Sequence, residues 1–355
     1  MADVNLTVCA SPGRCAEAPS FANGTWPQGL LWNEHGDRWR VCRNCTRSRA
    51  TVGLRPCSQS EQRQEAFVWS LAASLGVETG GIFVELGGND GRTSSNTLFL
   101  ETCAGWRGVL IEANPIAFAK LRLRRPAAVA VQAAACASGS DKATLVVRSS
   151  RGARRRGRLI GTADVAAGIE TLVPRLGHEW LRARHAEVVV RYHVPCVQLG
   201  ELFSALRVPR VDVFWLDCEG CELAALQSLL SRPPSIGILV VEMRAGDAAT
   251  NLPLLAALRA GGFELVRSLR VWASHSDRGP VFLMDSVYLR VEHFVSSGGL
   301  PAAALGFLLS QSTQARFGIN MRRRPGRHGG NYSMEEPEAL FARLPQADST
   351  YARKV

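Results

Sequence analysis

Four short apolar runs in the body of the chain each close on a carboxylate, and this recurrence limits the fold more than any other feature. They are Ile82-Phe83-Val84-Glu85-Leu86, Gly108-Val109-Leu110-Ile111-Glu112, the segment 211–217 ending at Asp217, and the segment 236–242 ending at Glu242. Runs this short and this apolar suit strands buried on both faces. Amphipathic stretches lie between them. Residues 61–75 place Phe67, Val68, Leu71, Ala72 and Leu75 on one helical face behind Ser60. Further helices are expected at 94–103, through Phe118, Leu121 and Leu123, at 199–206, at 223–230 up to Arg232-Pro233-Pro234, and at 252–259 up to Gly261-Gly262. Strands at 128–132, 143–148, 263–267 and 281–290 complete the pattern. The alternation predicts an α/β fold, a doubly wound and mostly parallel sheet with right-handed crossovers. A ligand then lies across the carboxyl ends of the strands, where Glu85, Glu112, Asp217 and Glu242 converge.

The first run leads into Gly87-Gly88-Asn89-Asp90-Gly91. Without a Cβ, Gly87 and Gly91 are expected to let the backbone approach a ligand closely. Glu85 is expected to accept hydrogen bonds from a cationic or hydroxyl-rich partner. The spacing differs from the Gly-x-Gly-x-x-Gly of dinucleotide enzymes. Glu112 follows a little over 20 residues beyond the turn, where doubly wound folds place an acid for ribose hydroxyls. A third signature, Asp217-Cys218-Glu219-Gly220-Cys221-Glu222, leads straight into a helix.

Taken in this order, the three signatures resemble the FkbM-type methyltransferases, a class I, Rossmann-like family that uses S-adenosyl-L-methionine. The resemblance spans about residues 67–290. It implies O-methylation of a hydroxyl on a sugar, polyketide or similar small molecule, so the expected partner is a small-molecule or glycan acceptor. It also implies a cofactor site built from Glu85, Gly87, Gly88, Asn89, Asp90, Gly91, Glu112, Ala113, Asn114 and Asp217, with the turn on the methionine end and Glu112 on the ribose. Cys218 and Cys221 depart from the small or aliphatic residues usual there. They are expected to be buried thiols, with a metal pair or a redox pair as alternatives.

Methyl transfer from a sulfonium is an in-line displacement that depends on positioning, and an alcohol acceptor needs a general base. Asp217 is the first candidate and Glu219 the second, followed by Glu242 and by His275 in the polar segment 274–279. Competing roles exist for each: Glu219 as a helix N-terminal cap, Asp217 on the cofactor, His275 as a surface residue. Asp217, Glu219 and Glu242 together offer hard oxygen ligands, but nothing in the spacing fixes a metal geometry, and none is assigned.

The chain has 355 residues, 46% of them hydrophobic, and a formal charge of +11. The organisation expected is an irregular Cys-rich and Trp-rich N-terminal extension over 1–57, a methyltransferase domain over 58–292 with a basic insertion at 149–195, and a C-terminal extension over 293–355. Arginines concentrate at 151–158 and 322–327, among glycines and with few aromatics, which favours solvated loops over nucleic-acid binding. No segment reads as membrane-spanning, and no basic and apolar leader is seen, so the default compartment is cytoplasmic. Cys9, Cys15, Cys42, Cys45 and Cys57, with sequons at Asn5, Asn23, Asn44 and Asn331, favour instead a secretory lumen or secreted protein whose leader is missing. Cys42-x-x-Cys45 lacks a second half at zinc-finger spacing. The competing functional readings are a non-catalytic FkbM-like trafficking or interaction protein and an RNA methyltransferase guided by the arginines.

Overall fold

The computed structural model describes residues 6–11, 14–18, 60, 64–137, 141–150, 154–155, 158–159, 165–169, 186–208, 210–230, 234–244, 248–276 and 279–295. Cys42, Cys45, Cys57, the sequons at Asn5, Asn23, Asn44 and Asn331, and the arginines at 322–327 lie outside them.

The elements follow in order: β1 (Leu6–Ser11), β2 (Arg14–Ala18), α1 (Gln64–Ser74), β3 (Ile82–Leu86), α2 (Leu98–Thr102), β4 (Arg107–Ile111), α3 (Pro115–Arg124), β5 (Val129–Gln132), β6 (Ala134–Ala135) and β7 (Lys142–Ser150). Then come β8 (Arg154–Arg155), β9 (Arg158–Leu159), β10 (Val165–Ile169), β11 (Ala186–Val197), α4 (Leu199–Ala205), β12 (Arg210–Leu216), α5 (Glu222–Leu230), β13 (Ser235–Arg244), α6 (Ala248–Ala260), β14 (Glu264–Ser276) and β15 (Gly279–Leu289).

The main sheet has the order β14-β15-β13-β12-β3-β4-β5-β1-β2. Strands β5, β4, β3, β12 and β13 are parallel, and β15, β14, β1 and β2 continue antiparallel on either side. From β3 the chain winds outward through β4 and β5, then returns to the other side of β3 as β12. The switch point between β3 and β12 opens a crevice at their carboxyl ends, which is where this topology binds ligands.

Strand alternation sorts the core into two layers. Phe83, Leu110, Val213, Trp215, Ile238 and Val240 pack on one face with α1 and α2, while Val84, Val109, Ile111, Phe214, Leu216 and Val241 pack on the other with α4, α5 and α6. The parallel strands are thus apolar on both sides, which is why they appear as unbroken apolar runs.

Three features differ from the sequence expectations. The N-terminal extension contributes a hairpin to the sheet: β1 pairs with β5, and Cys9 sits in register with Cys15. Within the expected insertion at 149–195, the described β10 and β11 are strands that pair with β7 in a second sheet of order β10-β7-β11-β6, joined by the disulfide Cys136–Cys196. Glu242 does not cap its strand; β13 runs on to Arg244, because antiparallel pairing with β15 extends through Arg244 and Leu283. The described segments begin well before residue 58 and stop at 295, so the outer bounds of the expected domains fall largely outside them.

Candidate active site at the switch point

At the end of β3 the N–H groups of Gly87 and Gly88 both donate to Ile111 O of β4, at 2.9 and 3.1 Å. Gly87 has φ +91, and a Cβ there would lie 1.8 Å from the backbone oxygen of Asp217. The chain's own β12–α5 turn thus already requires glycine at this position. Cβ atoms at Gly88 and Gly91 would likewise meet Leu121 and Arg125. Gly87 itself remains exposed, whereas Gly88 and Gly91 are buried.

Glu85 finds hydroxyl and cationic partners within the chain itself. Its carboxylate accepts from Asn96 N–H (2.8 Å), Thr97 Oγ1 (2.5 Å) and Ser95 Oγ (3.1 Å), and it is 2% exposed. Arg125, 1% exposed, donates to Glu101 at 2.8 Å, to Thr97 Oγ1 and Ser95 Oγ, and to the Gly91 carbonyl. Glu85 and Arg125 together stake down the segment after the turn. Asp90 also faces inward, accepting from Arg92 N–H, Thr93 N–H and Thr93 Oγ1 and pairing with Arg124.

Glu112 keeps its expected place, one residue past β4. Its Oε2 accepts Asn89 N–H at 2.7 Å and its Oε1 accepts Asn114 N–H at 2.6 Å. Burial pushes its carboxyl up to about 7, opposed by those backbone N–H groups and assisted by Glu85. Asn114 Oδ1 caps α3 by accepting Ile116 N–H, with Pro115 at the first helical position. Ala113, between them, packs against the core of the second sheet. Asn89, with φ +47, commits its N–H to Glu112.

Across the crevice, Asp217 N–H donates to Leu86 O at 3.2 Å. Asp217 and Glu242 retain some solvent contact, yet protein surrounds them on the scale that sets their charge. Burial pushes Asp217 well above the carboxylate range, and Glu219, Asp285, Glu222 and Glu85 add repulsion. Burial does the same to Glu242, reinforced by Asp217, Glu219, Asp285 and Glu222. Asp285 was missed by sequence reasoning; it stands opposite Glu242 in register. The available signal was a lone acid inside the apolar run 281–287.

The helix cap expected of Glu219 belongs to Glu222, whose Oε1 accepts the N–H groups of Cys218 and Gly220 at 3.1 Å each. Glu219 itself has φ +57. Cys218 and Cys221 form a disulfide, contrary to the buried thiols expected. His275 lies in β14, in register with Pro280, so the segment expected as a substrate loop is the tip of the β14–β15 hairpin. At roughly 3.4 Å per residue, Pro280 stands about 17 Å along β15 from Asp285. Among the described residues no His, Cys, Asp and Glu group is arranged to hold a metal ion, and no helix is long and apolar enough to cross a membrane.

The strand order, the crevice at the switch point and the acid-capped β3 and β4 define a class I, Rossmann-like methyltransferase fold. Residues 85–265 match the family model described as the methyltransferase FkbM domain, and the chain belongs to the FkbM methyltransferase family. No curated protein matches the sequence. Among solved structures, the precorrin-6y C5,15-methyltransferase of Geobacter metallireducens is 12% identical, with 62% of this chain and 86% of that one covered and a TM-score of 0.32. The METTL16 methyltransferase domain is 12% identical over 70% of each chain, with a TM-score of 0.34. A TehB-like methyltransferase of Corynebacterium glutamicum is 11% identical over 63% of this chain and 87% of that one, with a TM-score of 0.31.

Proposed function

We propose that this methyltransferase transfers the methyl group of S-adenosylmethionine to a hydroxyl on a sugar or other small molecule, with Asp217 as the general base. The observation that carries the reading is the contact between Asp217 and Gly87: the base and the cofactor turn touch through their backbones, while the Asp217 carboxyl sits among other acids and is raised by burial. A raised carboxyl is a stronger base toward an alcohol than an ordinary aspartate.

The cofactor fits the crevice on one ground in particular. Glu112 is fixed by backbone N–H groups from two sides and is 9% exposed, so its remaining lone pairs are pre-aimed at hydroxyl donors. The backbone around Gly87 to Asn89 and the start of α3 would bound the ligand, with Glu85, Asp90 and Arg125 as braces behind it. Bound there, S-adenosylmethionine supplies an electrophilic methyl group. Asp217 holds the acceptor hydroxyl and takes its proton, while burial and the repulsion of Glu219 and Asp285 keep Asp217 basic.

The Cys136–Cys196 and Cys218–Cys221 disulfides support an oxidising compartment over the cytoplasm, and a glycan acceptor accords with that setting. Labelled S-adenosylmethionine incubated with the protein and a panel of hydroxyl, amine and carboxylate acceptors tests the reading. Label in a base-stable methyl ether is expected; label only in base-labile esters or in methylamines refutes it.

A further inference from the structure

The β12–α5 turn contains a bond that methyl transfer does not use. Cys218 and Cys221 are joined across three residues, inside the segment that carries Asp217 and Glu219. So small a ring removes little freedom from the unfolded chain, in contrast to Cys136–Cys196 with its separation of 60 residues. Its effect is local. Between the two sulfurs, Glu219 and Gly220 both have positive φ, +57 and +100, and the N–H groups of Cys218 and Gly220 converge on Glu222 Oε1. A glutamate resists a left-handed backbone, so the turn needs restraint, and the disulfide is its covalent restraint.

The sulfurs are unequally placed. Cys221 is 3% exposed and directly precedes α5, whereas Cys218, though it packs against the core, is partly exposed. An incoming thiolate reaches Cys218 Sγ, and Cys221 is the leaving group. We propose that Cys218–Cys221 is a thiol–disulfide exchange site whose opening releases the Glu219 turn and switches methyl transfer off. The second half of that statement rests on the function proposed above.

In the first step a thiolate attacks Cys218 Sγ, the Cys218–Cys221 bond breaks, and Cys221 leaves as a thiolate that takes a proton. A second thiol then attacks the mixed disulfide and frees Cys218 as a thiol. Two external thiols become one disulfide, and two electrons and two protons pass to the protein. Charge selects the reductant. Glu219 lies between the two cysteines and Glu222 follows them, already occupying the N–H groups of Cys218 and Gly220, so an anionic thiol is repelled and the released thiolate gains little. The reductant class is a neutral or cationic thiol.

The test treats the full chain with cysteamine, or with glutathione at equal thiolate concentration, and counts alkylated Cys218 and Cys221 by peptide mass. Amide exchange and methyl transfer are followed in parallel. Cys218 and Cys221 should alkylate together, with cysteamine about tenfold faster than glutathione at low salt and the gap closing as salt rises. Amide exchange should quicken in 217–222 and not in 82–91. S-adenosylhomocysteine affinity should hold while turnover falls about 100-fold and returns on reoxidation. A C218S/C221S protein should show the fast exchange permanently and ignore reductant. Failure of the pair to alkylate before the fold melts, or unchanged exchange in 217–222 once alkylated, overturns the site. Open cysteines with full turnover overturn the switch. A protein inactive in both states refutes the proposed function alone, because alkylation and amide exchange still report on the site.

Discussion

Glu112→Gln should make this protein more stable at alkaline pH while weakening cofactor binding. The Glu112 carboxyl is raised by burial to about 7 from 4.5. Between those two values the folded chain binds a proton that the unfolded chain has released, so folding loses stability as pH climbs. The favourable contribution of the neutral form is complete below about 4.5 and is gone once pH has passed about 7. A shift of that size is worth about 3 kcal/mol at 1.36 kcal/mol per unit. Glutamine resembles the protonated acid in shape and in having one acceptor oxygen, and like it leaves one of the Asn89 and Asn114 N–H groups poorly matched. The variant should therefore match the parent below about pH 4 and exceed it by up to about 3 kcal/mol at pH 8.5. Urea denaturation at several pH values measures the difference, and calorimetry with S-adenosylhomocysteine measures binding, which should fall about tenfold with the loss of a charged hydrogen bond to hydroxyls. Parallel stability curves for the two proteins would refute the reasoning, because they would mean that Glu112 ionises at no cost in the folded state.

Other perturbations separate the parts of the site. Asp217→Asn should leave S-adenosylhomocysteine affinity intact and lower turnover about 10²- to 10⁴-fold; in the parent, turnover should rise with pH through a midpoint above the ordinary carboxylate range, since the base must be ionised and burial and its acidic neighbours raise it. Gly87→Ala places a Cβ against the Asp217 carbonyl at positive φ, so denaturation should show a loss of about 1 to 3 kcal/mol and both cofactor binding and turnover should suffer. Arg125→Met strands buried Glu101 and removes the donor to Ser95 and Thr97, costing about 3 to 5 kcal/mol by the same measurement. Removing Cys136–Cys196 by Cys136→Ser and Cys196→Ser should lower stability by about 2 to 4 kcal/mol, with affinity for S-adenosylhomocysteine unchanged.

Strands β3, β4 and β12 were legible because each is buried on both faces and bounded by turn residues, and helix α3 because Asn114-Pro115 is a start signal that needs no tertiary context. The acids at 85, 112, 217 and 242 were legible as a set, yet their roles were not. Whether a carboxylate faces a ligand or its own loop depends on donors supplied from elsewhere: Glu85 meets Asn96, Ser95 and Thr97 only because the chain folds back ten residues later. Arg125 follows Arg122 and Arg124 and looks like surface charge until Glu101 and the Gly91 carbonyl close over it. Glycine was the most misleading signal at Gly87. The requirement for no side chain was correctly sensed, but the neighbour imposing it, Asp217, is 130 residues away and belongs to a contact that only strand pairing creates.

Asp212 within β12 and Asp217 just past its end lie five residues apart with opposite electrostatic fates, and the contrast shows what the carboxyl edge costs the fold. At the amino end, Asp212 is also buried, which opposes ionisation, but His293, Arg210 and Ile82 N–H all donate to it and hold its carboxyl below the usual range. It adds stability that is present above its unfolded value and is lost as pH falls through the lowered one. At the carboxyl end, Asp217 has acids for neighbours, and its contribution has the opposite sign: stability present at low pH is lost as pH rises. Nothing in the strand distinguishes the two except which partners arrive, so the fold could have neutralised Asp217 as it neutralised Asp212. Leaving it buried among Glu219, Asp285 and Glu222 sacrifices stability at working pH, and under the proposed function it yields a base strong enough to take a proton from an alcohol. A Glu219→Gln, Asp285→Asn protein should accordingly be more stable above neutral pH and turn over more slowly at saturating acceptor, its pH midpoint displaced downward. A midpoint that stays in place when both neighbours are neutralised would show that burial alone sets the Asp217 charge.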